Sequence, residues 1–104
     1  MKWTLMAQAG MLLAFFGWIQ VQAQPMDALQ VRSLAATCAA CHGTQGIAQS
    51  GMKSLAGMDK EALLQKMLDF KSGKQAATLM NQLARGYSDE QLGALAAYFS
   101  ALDK

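Results

Sequence analysis

Histidine and cysteine are almost missing from this chain of 104 residues, which has one histidine and two cysteines. That scarcity excludes several kinds of site. Structural zinc takes four protein ligands, so a zinc site here would have to recruit carboxylates, an unusual pattern. One bridge between Cys38 and Cys41 would close a very small loop and organise little of a domain. No stretch alternates apolar and polar residues as a half-buried strand does. The strand-to-helix junction that a thioredoxin-like cysteine pair requires is therefore lacking. Charge of one sign is also scarce. The formal net charge is +2, and beyond residue 23 eight basic side chains face seven acidic ones, so nucleic-acid binding has no support. There is no internal repeat, no low-complexity tract, and no nucleophile–base pair or carboxylate dyad of the kind that marks catalysis.

What the chain does have is concentrated. Both cysteines and the histidine fall in one pentapeptide, Cys38-Ala39-Ala40-Cys41-His42. In an exported protein C-x-x-C-H is the attachment site of a c-type haem. The thiols of Cys38 and Cys41 add across the two vinyl groups, and His42 ligates iron from the proximal side. Covalent capture suits a chain too short to enclose the cofactor alone. A domain of this size gains only marginal stability from its own apolar core.

Export is read from the amino terminus. Met1-Lys2 is a short positive region, Trp3 to Ile19 is mostly apolar, and Val21-Gln22-Ala23 offers small residues for a signal peptidase. Residues 1–23 are expected to be a signal peptide cleaved after Ala23, which places the mature protein in the periplasm. The alternative is an uncleaved membrane anchor, because the apolar run approaches the roughly 20 residues that span a bilayer.

Residues 24–104 read as one all-α domain of about three to five helices. The first is expected from Asp27 to about Ala40, with Pro25 upstream and Leu29, Leu34 and Cys38 on one face, and it stops at Gly43. Residues 43–57 form a glycine-punctuated loop. Asp59 caps a second helix carrying Leu63, Met67 and Phe70, widened by Leu64 and Leu68, that ends at Ser72-Gly73. A short helix over 78–85 closes at Gly86. Ser88 and Gln91 form a capping box for a last helix with Leu92, Leu95, Ala96, Phe99 and Leu102 on one face.

Methionine opposite histidine is the usual electron-transfer ligation, and the candidates after the motif are Met52, Met58, Met67 and Met80. Met52 and Met58 are so close to His42 in sequence that reaching the opposite haem face is difficult. Met67 reads as helix core, where methionine is an ordinary gap-filler. Met80 lies far enough along the chain to cover the distal face and is favoured. Lys60, Lys66, Lys71 and Lys74 read as a solvated face rather than a docking patch, since Glu61 and Asp69 dilute their field.

These residues carry a resemblance. Leu34 to Gly43 is similar to the haem-binding start of a class I c-type cytochrome. Asp69 to Lys74, Ala77 to Met80, Arg85 to Glu90 and Tyr98-Phe99 most resemble the cytochrome subunit of flavocytochrome c sulfide dehydrogenase. The resemblance implies a class I cytochrome c fold wrapped around one covalently attached haem c. Within it Cys38 and Cys41 form the thioethers, His42 is the proximal ligand and Met80 the distal one. It also implies a subunit, not an enzyme by itself, that accepts electrons from a sulfide-oxidising flavoprotein and passes them to a downstream carrier. The rivals are a free-standing carrier in a respiratory or photosynthetic chain, and a five-coordinate gas-binding or peroxidatic haem protein in which Met80 is only core. The chain departs from the class in two places. Gly51-Met52 stands where a Gly-Pro pair commonly supplies the carbonyl that holds the histidine, and Gln75-Ala76 replaces an Arg-Pro pair.

Overall fold

The computed structural model describes Gln22 and residues 24–104; apart from Gln22, the leader-or-anchor segment 1–23 lies outside the described residues. Among the described residues there are four helices and no strand. They are α1 (Ala28–His42), α2 (Lys60–Ser72), α3 (Met80–Arg85) and α4 (Asp89–Ser100). None is long and apolar enough to cross a membrane.

Local chemistry sets most of the helix ends. Asp27 and Gln30 form a reciprocal capping box that starts α1, which satisfies two of the main-chain donors a helix start leaves free. Asp59 accepts from Ala62 N–H at 2.9 Å to start α2. Ser88 and Gln91 make the second capping box, at α4, with Asp89 and Glu90 in its first turn, where the helix dipole favours negative charge. Gly73 closes α2 in the left-handed conformation. α3 behaves differently. It begins at Met80 rather than Thr78, has no side-chain cap, and ends at a Gly86 whose φ of −75° any residue could adopt.

α4 packs against α1 and α2, and α3 lies on α2. The core consists of Leu63 and Met67 from α2, Leu92, Leu95, Ala96 and Phe99 from α4, and Ala35 from α1. Phe99, Leu92 and Leu95 are almost wholly buried, and burial of each such side chain stabilises the fold by about 1.5–3 kcal/mol. Tyr98 meets the Phe99 ring edge to face, with centroids 5.1 Å apart. The expected faces of α2 and α4 are thus the buried ones. Of the stripe expected on α1, Leu34 and Cys38 pack partly buried against the core beside the buried Ala35, whereas Leu29 is 74% exposed. The small Ala35 lets α1 lie close against α4 and leaves Leu29 beyond the contact.

Candidate haem site

The pentapeptide occupies the last turn of α1, where a helical spacing of three and four residues brings Cys38, Cys41 and His42 to one side. The helix ends immediately after them. Gly43 has φ +89°, and a Cβ on it would lie 1.9 Å from the Ile47 carbonyl oxygen, so no larger residue fits this bend. The chain turns at once and the imidazole stands at the helix terminus.

His42 Nδ1 lies 2.5 Å from the Lys53 carbonyl oxygen. A carbonyl only accepts, so Nδ1 carries the proton, and Nε2 is the nitrogen left to offer a lone pair to a metal. A histidine prepared to ligate a metal is held in this way: the far nitrogen donates to a fixed acceptor, which orients the ring and raises its basicity. The acceptor is one residue beyond the Gly51-Met52 pair from which the sequence led us to expect it.

Beside this terminus a cavity of about 530 Å³ opens, within the size range of cofactor pockets. Thr37, Cys38, Cys41 and His42 form one part of its wall. Leu55, Leu63, Met67, Phe70, Leu92, Leu95 and Phe99 form much of the rest, and Leu79, Met80, Leu83, Ala84 and Tyr87 come from the α3 region. Cys38 is half-buried and Cys41 exposed. Burial pushes the Cys38 thiol above its ordinary pKa, because the apolar surroundings disfavour the thiolate.

All four sequence-predicted residues, Cys38, Cys41, His42 and Met80, therefore line one cavity. So do the other methionines that follow the motif, in different settings. Met67 is 8% exposed within the core. Met58 packs against the core cluster, and Met52 is 49% exposed on the loop that follows α1. Met80 is half-buried at the first residue of α3, on the connection between α2 and α4.

Two features of the site carry no residue-type signal. One is the Lys53 carbonyl, since any residue there supplies a main-chain oxygen. The other is Lys71, half-buried on α2, which donates to the Tyr87 carbonyl at 2.7 Å and to Asp89 Oδ1 at 2.7 Å. It ties α2 to the chain just before α4 and frames the segment that bears Met80. Lys74 lies 4.0 Å from Asp69, so two of the four lysines that might have formed a patch face carboxylates.

The residues present fit a covalently held haem. They supply two thiols and a histidine of fixed tautomer on one wall of a large, mostly apolar cavity. A family model for cytochrome c matches residues 30–103. The chain belongs to the cytochrome c family. Its cofactor is accordingly a covalent haem c, its work is electron transfer, and its four helices are those of the cytochrome c fold.

Two relatives and one solved structure add detail. The chain is 35% identical over 81 residues to the cytochrome subunit of sulfide dehydrogenase from Chlorobaculum tepidum, covering 78% of this chain and 74% of that one. It is 38% identical over 82 residues to cytochrome c-553 of Helicobacter pylori, covering 77% of this chain and 85% of the relative. In structure it is similar to cytochrome c4 of Acidithiobacillus ferrooxidans, with a TM-score of 0.60 and 35% identity over 62% of this chain. This cytochrome spans only 38% of the length of that c4 chain.

Proposed function

We propose that residues 24–104 form a periplasmic monohaem electron-transfer domain that serves as the cytochrome subunit accepting electrons from a sulfide-oxidising flavoprotein. In this reading Cys38 and Cys41 hold the haem through thioethers, His42 is the proximal iron ligand and Met80 the distal one. Residues 1–23 direct the chain out of the cytoplasm. The observation that carries the site assignment is the hydrogen bond from His42 Nδ1–H to the Lys53 carbonyl, which leaves Nε2 free for a metal on the wall that also bears both cysteines.

When bound, haem supplies a one-electron iron couple whose potential depends on axial ligands, hydrogen bonding and exposure. The chain's own residues govern those settings. The Lys53 carbonyl holds the proton on Nδ1 and stops the ring from turning. Leu63, Leu92, Leu95 and Phe99 keep water from the interior of the cavity. Lys71 fixes the path of the chain between α3 and α4, and so the frame in which Met80 is presented. In this reading His42 and Met80 would hold the iron of a bound haem, no residue is assigned to bind or transform a substrate, and the domain would relay electrons.

The partner is supported by the likeness to the sulfide dehydrogenase subunit over most of both chains. The second reading, a free-standing carrier, is supported by the likeness to cytochrome c-553 over still more of the relative's length. Two measurements separate the possibilities. Oxidised holoprotein should show the methionine-to-ferric-haem absorption band and lose it in Met80→Ala. A band that survives would transfer the ligand role to Met52, Met58 or Met67, and its absence from the parent protein would favour the five-coordinate reading. Gentle purification from the native host should bring down a flavoprotein that reduces the haem when sulfide is added. Recovery as a monomer that such a flavoprotein does not reduce would leave the free carrier.

A further inference from the structure

Residues 46–56 form a loop whose two ends meet. The Gly46 carbonyl closes the neck by accepting from Leu55 N–H at 2.7 Å and from Ala56 N–H at 3.0 Å. The far end turns through Met52 N–H to the Gln49 carbonyl at 3.1 Å. Between neck and tip one side chain crosses from limb to limb: Ala48 N–H donates to Ser54 Oγ at 2.8 Å.

Ser54 follows Lys53 directly, so its own nitrogen is bonded to the carbonyl carbon whose oxygen accepts from His42. The Lys53–Ser54 peptide is a plane, and the acceptor can leave the imidazole only if that plane turns. Leu55 N–H, held at the neck, and the Ser54 hydroxyl, bonded to Ala48 on the opposite limb, restrain the plane from two directions. Apart from the neck, that crossing and the Met52–Gln49 turn at the tip, the loop makes no internal hydrogen bond among the described residues. The chain's one proline is Pro25, and Lys53 N–H donates no hydrogen bond among the described residues. An exposed serine is thus the side chain that ties the limb carrying the acceptor.

We propose that Ser54 is a positioning residue for the proximal histidine: by accepting Ala48 N–H, its hydroxyl keeps the Lys53 carbonyl on His42 Nδ1–H and so sets the donor strength of Nε2. The inference rests on the reading of His42 as the proximal ligand. A fixed acceptor makes the imidazole the stronger base, and a stronger base favours ferric iron. Loosening the loop raises the reduction potential.

The test uses holoprotein carrying Ser54→Ala or Ser54→Thr. Ser54→Ala should shift the reduction equilibrium toward ferrous iron by about two- to tenfold, where tenfold is 59 mV for one electron. Exchange of the Nδ1 proton with solvent, followed by NMR in the ferrous state, should quicken. Ser54→Thr retains the hydroxyl and should keep both parent values.

Unchanged potential and unchanged Nδ1–H exchange in Ser54→Ala would overturn the proposal. So would a Ser54→Thr variant as shifted as Ser54→Ala. If Ser54→Ala does not mature with haem, a Ser54→Thr variant that matures with the parent potential supports the proposal, and one that matures with a shifted potential or also fails to mature overturns it. The parent spectrum is read first. If it lacks histidine ligation, the ligand assignment fails, and that result is distinct from any failure of the loop.

Discussion

Replacement of Lys71 by methionine isolates one hydrogen bond and gives it a measurable consequence. Methionine keeps most of the aliphatic stem and removes the ammonium group. Two partners are lost, and they are unequal. The Asp89 side chain is 75% exposed against 29% for Lys71, and an ion pair with so exposed a partner contributes about 0.2–1 kcal/mol. The Tyr87 carbonyl is part-buried and accepts from a charged donor at 2.7 Å. Such a bond contributes about 1.5–3 kcal/mol, and without it the carbonyl stays partly desolvated and unpaired. Lys71→Met should therefore destabilise the holoprotein by roughly 2–3 kcal/mol, and Asp89→Asn by less than about 1 kcal/mol. In a domain this small each kcal/mol lowers Tm by about 4–8 °C, so the two variants are easily told apart by thermal or guanidinium denaturation. The methionine-to-ferric-haem band should fade in Lys71→Met at temperatures where the parent retains it, because the segment bearing Met80 is no longer tied to α2. Equal losses in the two variants would show that the ion pair, and not the carbonyl bond, holds the segment, and the reasoning would be refuted.

Gly43→Ala should abolish accumulation of holoprotein, since the new Cβ would have to displace the Ile47 carbonyl at a residue with φ +89°; the haem absorbance of cell extracts measures it. Leu95→Ala removes a side chain 1% exposed at the junction of core and cavity, and should cost about 2–5 kcal/mol in denaturant titrations. Cys38→Ser and Cys41→Ser should each leave a single thioether. The double variant should release its haem into acidified organic solvent, and mass spectrometry of the polypeptide reads the difference directly. Alkylation of cofactor-free chain at Cys38 should still be rising with pH where an ordinary thiol has levelled off, because burial holds its pKa up. A Cys38 rate that levels off at ordinary thiol pH would contradict the burial seen here.

Much of the fold was legible because its signals are local. The Ser88–Gln91 box, the Asp59 cap and the glycines after α1 and α2 act within one turn of the residues that carry them. That Cys38, Cys41, His42 and Met80 line one cavity was also legible, three because they are contiguous and Met80 because of its distance along the chain, but Met52, Met58 and Met67 line it as well. The errors came where tertiary contact overrides local pattern. Leu29 belongs to an apolar stripe yet faces solvent, because the α1–α4 contact is made at Ala35. The expected start of α3 near Thr78 moves to Met80, with Leu79 at the N-cap making no side-chain hydrogen bond. The Lys53 carbonyl and the Lys71–Tyr87 bond were beyond reach for another reason. Both use main-chain oxygens, and which oxygen meets which donor depends on how loops close.

The neck of the loop that holds His42 also ties this site to the far end of the chain. Gly57 N–H donates to the Phe99 carbonyl at 3.0 Å, and the Lys104 side chain runs beside Gly57. The base of the loop thus rests on the last turn of α4 and the residues beyond it. Closing such a contact costs the entropy of the chain between its ends, and the docked carboxy-terminal helix repays it with its buried face. The carbonyl that immobilises the imidazole is therefore braced by residues far from it in sequence, and trimming the carboxy terminus would be felt at the histidine.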